Sequence, residues 1–215
     1  MFAVDDEGSS SDPCSLLYRG PEAFSEPETR HMRDFLLAWT NIKIAVNLHA
    51  YGNLFIVPFN FDSAENPQLA SDFPKALKFY NNTHERAGFP AGNTMGNGQV
   101  GVKYPANGEA SDYMLKELGI YAMSPELGTK HEFSKGFYMD NFDHVTDICE
   151  ANFPWLFYTM KQLHSSLHIT VLELEKGHAE VREIKLAVEN QGLQEMEEST
   201  ITLKLNMTLF KKVAV

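Results

Sequence analysis

Three side chains able to do acid–base or ligand chemistry stand at the ends of short apolar runs: His49, Tyr104 and Glu126. Each lies where a predicted strand gives out, and open α/β sheets bind ligands in the crevice outside the carboxyl ends of their strands. Three such ends can bring an imidazole, a phenol and a carboxylate to one place. A carboxylate there can move a proton, an imidazole can carry one or ligate a metal, and a phenol can hydrogen-bond. Taken singly, each has a plainer reading. A strand-end histidine is more often structural than a ligand, a tyrosine packs with its hydroxyl bonded, and a carboxylate caps a helix or faces water.

The elements that must position them follow from periodicity. Ile42, Ile44, Val46 and Leu48 alternate with Lys43, Ala45 and Asn47, which predicts a strand ending at His49. The run Leu54–Phe59 predicts a second, buried strand. Gln99–Tyr104 and Ile120–Ser124 predict two more, ending at Tyr104 and just before Glu126. Between them lie helical patterns. The Ser25-Glu26-Pro27-Glu28 segment predicts a capping box opening a helix over about 26–39, with Met32, Phe35, Leu36 and Trp39 on one face. Further helices are predicted over 69–87, about 111–118, and about 141–165, the last kinked near Pro154. Residues 1–24 and 88–98 read as loops rich in turn-forming residues. The alternation of strands and helices predicts an α/β domain, a mixed sheet flanked by helices.

The pattern changes after Leu167. Residues 169–174, 181–188 and 201–209 alternate, separated by Lys176-Gly177 and Asn190-Gln191-Gly192. This divides the chain into residues 1–167 and a small all-β appendage over 168–215, too short to stand as a sandwich by itself. An apolar fraction of 43% and an aromatic fraction of 12% support a packed core rather than a disordered chain. A formal charge of −11 argues against binding a phosphate backbone. No run approaches the roughly 20 apolar residues of a membrane helix. The opening Met1–Glu7 lacks the basic-then-apolar pattern of a secretory leader, and the compartment stays open. Two cysteines, Cys14 and Cys149, are too few for a disulfide framework.

Four segments carry a resemblance. Asp12-Pro13-Cys14-Ser15 with Tyr18-Arg19-Gly20-Pro21-Glu22-Ala23-Phe24-Ser25-Glu26-Pro27-Glu28 resembles the loop-to-helix segment of carboxypeptidase A-like zinc metallocarboxypeptidases. Leu48-His49-Ala50-Tyr51-Gly52 is similar to the family's third-ligand segment. Tyr104-Pro105-Ala106-Asn107-Gly108-Glu109-Ala110-Ser111-Asp112-Tyr113 resembles the segment bearing the substrate-covering tyrosine and the specificity pocket, and Ser124-Pro125-Glu126-Leu127-Gly128 the strand end bearing the catalytic glutamate. They occur in the family's order over roughly residues 1–165 and identify the C-terminal part of a catalytic domain.

The resemblance implies roles. His49 is the zinc ligand, Glu126 the general base that takes a proton from water and delivers it to the leaving amine, and Tyr104 the group that closes over the substrate. Ser111 stands at the pocket floor, where a small hydroxyl implies neither a strongly basic-selective nor a purely apolar preference. Zinc is the expected cofactor, since it lowers the pKa of a bound water to about 7. The expected substrates are the C-termini of peptides or proteins.

The pattern also breaks. A catalytic zinc takes three protein ligands, and the family draws two from an upstream His-x-x-Glu element. No histidine here is followed by Glu three residues on. His31-Met32-Arg33-Asp34 and His144-Val145-Thr146-Asp147 place a carboxylate one turn on, and solvated helix faces account for them. The Asn-Arg pair that clamps the substrate carboxylate is absent as well. Met1–Gly8 resembles the stretch after that pair, so the chain is expected to begin in mid-domain. The expectation is a metallocarboxypeptidase-family chain that is inactive by itself, and either poorly folded alone or completed by another chain. The alternative is a non-catalytic subunit or scaffold derived from the family.

Overall fold

The computed structural model describes residues 8–62, 67–90, 94–133, 139, 141–164, 167–176, 182–190 and 192–193. It divides into two compact units, Met1–Leu163 and His164–Val215.

In the first unit, short parallel pairs are covered by helices. Strand β1 (Ile44–Val46) pairs with β5 (Tyr121–Met123), β2 (His49–Ala50) with β6 (Glu126–Leu127), and β3 (Phe55–Ile56) with β4 (Met95–Gly96), all parallel. An antiparallel bridge joins Leu54 to Glu126, which makes the arrangement mixed. The strands are shorter than the alternation predicts, but the pairing runs past their formal ends: Asn47 N donates to Met123 O and Gly52 N to Gly128 O, both at 2.9 Å.

The helices are α1 (Pro27–Ala38), α2 (Pro67–Asp72), α3 (Pro74–Arg86), α4 (Gly98–Gly101), α5 (Ala110–Leu118) and α6 (Phe142–Lys161). Several differ from expectation for identifiable reasons. The capping box before α1 does not form. Pro27 sets the start so that Glu26 is the N-cap, and Ser25 Oγ donates to the Glu26 carboxylate at 3.1 Å instead. Only Leu36 of the predicted apolar face is buried, while Met32, Phe35 and Trp39 are more than half exposed. The single helix expected over 69–87 is two, because Pro74 lacks an N–H and pushes Phe73 out of helical geometry. The strand expected over 99–104 is instead the short helix α4. Asn97 caps it by accepting from Val100 N at 3.1 Å, and Gly98 N donates to Asn60 Oδ1 at 2.8 Å. Two valines in alternation are too weak a signal to outweigh that cap. Pro154 lies inside α6, which continues through it to Lys161.

The core gathers where the strands meet the helices. The rings of Phe55, Phe89 and Trp155 stand edge to face at 5.0–5.9 Å between centroids. Tyr80, fully buried on α3, donates its hydroxyl to Ala122 O in β5 at 2.8 Å. A second cluster of Leu36, Met114, Ile120 and Ala122 seats α1 and α5 against β5.

In the second unit, β7 (Leu167–Lys176) and β8 (Arg182–Asn190) form an antiparallel pair whose register shifts between Val171 and Glu173. The strand expected over 201–209 lies outside the described residues.

Candidate active site

Glu126 occupies the middle of a three-strand junction. Its N–H donates to Leu54 O at 2.8 Å, its carbonyl accepts from Leu54 N at 2.9 Å, and on its other side β6 runs parallel to β2. In that pair His49 is the register partner of Glu126. Directly opposed residues on neighbouring strands project from the same face, so imidazole and carboxylate are brought together from distant parts of the chain. Both belong to short strands rather than to the loops after them. Glu126 is half-buried, and its desolvation pushes the carboxyl pKa up, opposed by the attraction of His49.

Asn47 is a member of this group that motif reasoning passed over. Its Nδ2 lies 2.9 Å from His49 Nε2, so the amide donates to that ring nitrogen. The two-residue spacing along a strand was the available signal, since it puts both side chains on one face.

Tyr104 and Ser111 are placed differently. Tyr104 follows α4 instead of closing a strand and is 59% exposed. Among the described residues, no hydrogen bond or ring contact joins it to His49 or Glu126. Ser111 is 1% exposed and sits in the first turn of α5. Its hydroxyl donates to the Glu109 carboxylate and receives Asn60 Nδ2 at 3.4 Å.

That contact opens onto a buried polar network that the sequence did not disclose. Glu109 also accepts from Ser124 Oγ at 2.5 Å, two residues before Glu126. Asp112 accepts from Asn60 N at 2.8 and 2.9 Å, from Asn60 Nδ2 at 3.0 Å and from Phe61 N at 3.3 Å. Burial, reinforced by the charge of Glu109, raises the Asp112 carboxyl to about 7 against the pull of those donors. The network ties the start of α5 to the loop after β3 and to the strand that leads into Glu126.

A cavity of about 340 Å³ lies between the 18–26 loop, α1 and the start of α5, lined by Arg19, Phe24, Met32, Arg33 and Tyr113 among others. Neither His49 nor Glu126 lines it. The site is therefore better defined by the strand register than by that concavity.

A family model for zinc carboxypeptidases matches residues 2–154, more than two-thirds of the chain. The chain belongs to the zinc carboxypeptidase family. Carboxypeptidase B of Astacus astacus is 34% identical over 134 residues, which are 59% of this chain and 41% of that protein. Carboxypeptidase A4 of Mus musculus is 31% identical over 127 residues, 56% of this chain and 28% of its own length. The fold resembles bovine thrombin-activatable fibrinolysis inhibitor, solved with tick carboxypeptidase inhibitor: TM-score 0.56 and 24% identity, over 72% of this chain and 52% of that one. The chain thus spans less than half the length of the curated relatives it matches.

Zinc is the cofactor of the zinc carboxypeptidase family. A catalytic zinc takes three protein ligands at tetrahedral spacing. Among the described residues, no three of His, Cys, Asp and Glu are grouped to hold a metal. His49 is one imidazole whose Nε2 already faces the Asn47 amide. The described residues do not by themselves fit the ion. Cys14 and Cys149 are free and exposed.

Proposed function

We propose that this chain contributes the imidazole and the catalytic carboxylate of a zinc-dependent carboxypeptidase, an enzyme that hydrolyses the C-terminal bond of peptides or proteins. In this reading the remaining ligands and the carboxylate clamp come from outside the described residues. The observation that carries it is the register pairing of His49 with Glu126 on one sheet face, in a chain of this family.

Glu126 suits a general base. Desolvation raises its carboxyl toward the working pH, so it can accept a proton from the attacking water and release it to the departing amine. Its backbone is fixed on both sides, and a fixed base loses little orientation in the reaction. Tyr104 is the group that covers substrate, and its exposed ring leaves it room to move. Ser111 sets the depth of the side-chain pocket, with its hydroxyl directed by Glu109.

The test is hydrolysis of an N-acylated dipeptide with a free C-terminal carboxylate by the chain in complex with a polypeptide that supplies the upstream ligands. Glu126→Gln keeps the shape and removes the base. The expected loss in kcat is about 10²–10⁴-fold with KM little changed. Turnover that persists in Glu126→Gln takes this residue out of the mechanism.

A second reading, a non-catalytic subunit or scaffold of the same family, draws on the apolar side chains that α1 and α6 leave exposed, among them Phe35, Trp39, Phe153 and Phe157. Surfaces of that kind mark association sites. Binding of the partner polypeptide without turnover favours this reading.

A further inference from the structure

The turn after β6 and the first turn of α6 set two further imidazoles against each other. The ring centroids of His131 and His144 lie 5.6 Å apart with their planes at 54°. The backbone is fixed at both positions. His131 N donates to Thr129 Oγ1 at 3.2 Å in a turn that the Glu132 carboxylate closes by accepting from Thr129 N at 2.8 Å. His144 sits in the opening turn of α6, whose N-cap Asn141 accepts from Asp143 N at 2.9 Å.

The decisive feature is a nitrogen. Nδ1 of His144 is sealed from solvent and has no hydrogen-bond partner among the described residues. A buried polar atom left unpaired is costly, so its persistence asks for an explanation. We propose that His131 and His144 form a binding site for a divalent transition-metal cation, with His144 Nδ1 as one of its two protein ligands and water filling the remaining positions.

The geometry suits this. Imidazole nitrogens bind such ions at about 2.0–2.1 Å, which puts the centres of two rings sharing one ion roughly 5–6 Å apart. The observed centroid separation of 5.6 Å falls in that range. Imidazole selects zinc, nickel or copper over magnesium and calcium, which require oxygen ligands. The positive end of α6 opposes a cation, but Asp143 in the same turn and Glu132 beside His131 supply compensating charge. The solvated-face reading of His144-Val145-Thr146-Asp147 does not account for a ring nitrogen that is out of solvent. The site uses neither His49 nor Glu126, so it stands or falls apart from the proposed catalytic role.

The test is equilibrium dialysis of the 215-residue chain against Zn²⁺ alone, comparing wild type with His131→Ala, His144→Ala and His49→Ala. One ion per chain is expected in wild type and in His49→Ala, with affinity falling at least tenfold in either of the other variants. His131 is exposed, so its replacement leaves the fold intact, as circular dichroism can verify; this keeps the result interpretable if His144→Ala unfolds the turn. No saturable zinc, or zinc retained at full affinity in His131→Ala, overturns the site and points to a trapped water on His144 Nδ1.

Discussion

Asp112 shows how one buried side chain can set the pH response of a domain. Its carboxyl is held by four backbone and amide contacts from Asn60 and Phe61, yet desolvation dominates and lifts it from 3.8 to about 7. The sign follows directly. Between those two values the folded chain keeps a proton that the unfolded chain releases, so this group's contribution to stability is full below about 4 and is lost as the pH rises through about 7. Urea denaturation between pH 4 and 8 should show stability falling across that window. Asp112→Asn should flatten the fall while lowering stability by about 1–3 kcal/mol, because an amide offers fewer acceptors to the same donors. Equal slopes in the two proteins would contradict the assignment. At this scale the sequence was unevenly informative. His49 and Glu126 stood out as candidates because each sits in a distinctive local segment. Asn60, Glu109, Asp112 and Ser124 did not, because a buried network is defined by contacts between segments far apart in the chain.

Among the elements, β6 is where geometry is most constrained. Gly128 follows it with φ at +71°, a conformation that favours glycine. A Cβ there would come within 2.7 Å of the Phe133 ring and 2.8 Å of Ile148 Cδ1. Gly128→Ala is therefore expected to destabilise the first unit by about 1–3 kcal/mol from strain and overpacking. It also disturbs the Gly52 N–H bond to Gly128 O that anchors the segment just after His49. A thermal denaturation midpoint unchanged from wild type would show that the β6 turn relaxes freely. Helical periodicity made α1, α5 and α6 readable to within a few residues. The break between α2 and α3 was missed, although Phe73-Pro74 carried its signal, since a residue before proline avoids helical geometry. The helix α4 was not readable, because its start depends on the Asn97 side chain and on Asn60, which accepts from Gly98 across the fold. Strand pairing is hidden for the same reason: alternation marks a strand but not its neighbour, and the parallel partners here are separated by whole helices.

For the molecule as a whole, family membership and partial coverage of the relatives fit together. The chain spans 41% of one carboxypeptidase relative and 28% of another, and the part it spans holds one imidazole and one carboxylate in register. Its apolar exposure is concentrated on α1 and α6, and no helix among the described residues is long and apolar enough to cross a membrane. In the proposed function, His49 and Glu126 are catalytic parts without a complete set of metal ligands among the described residues of this chain. Zinc titration of the isolated wild type beside His49→Ala tests that most directly. Whatever ion His131 and His144 hold is common to both proteins, so the prediction is an identical zinc stoichiometry and affinity. An additional zinc bound by wild type and lost in His49→Ala would contradict it.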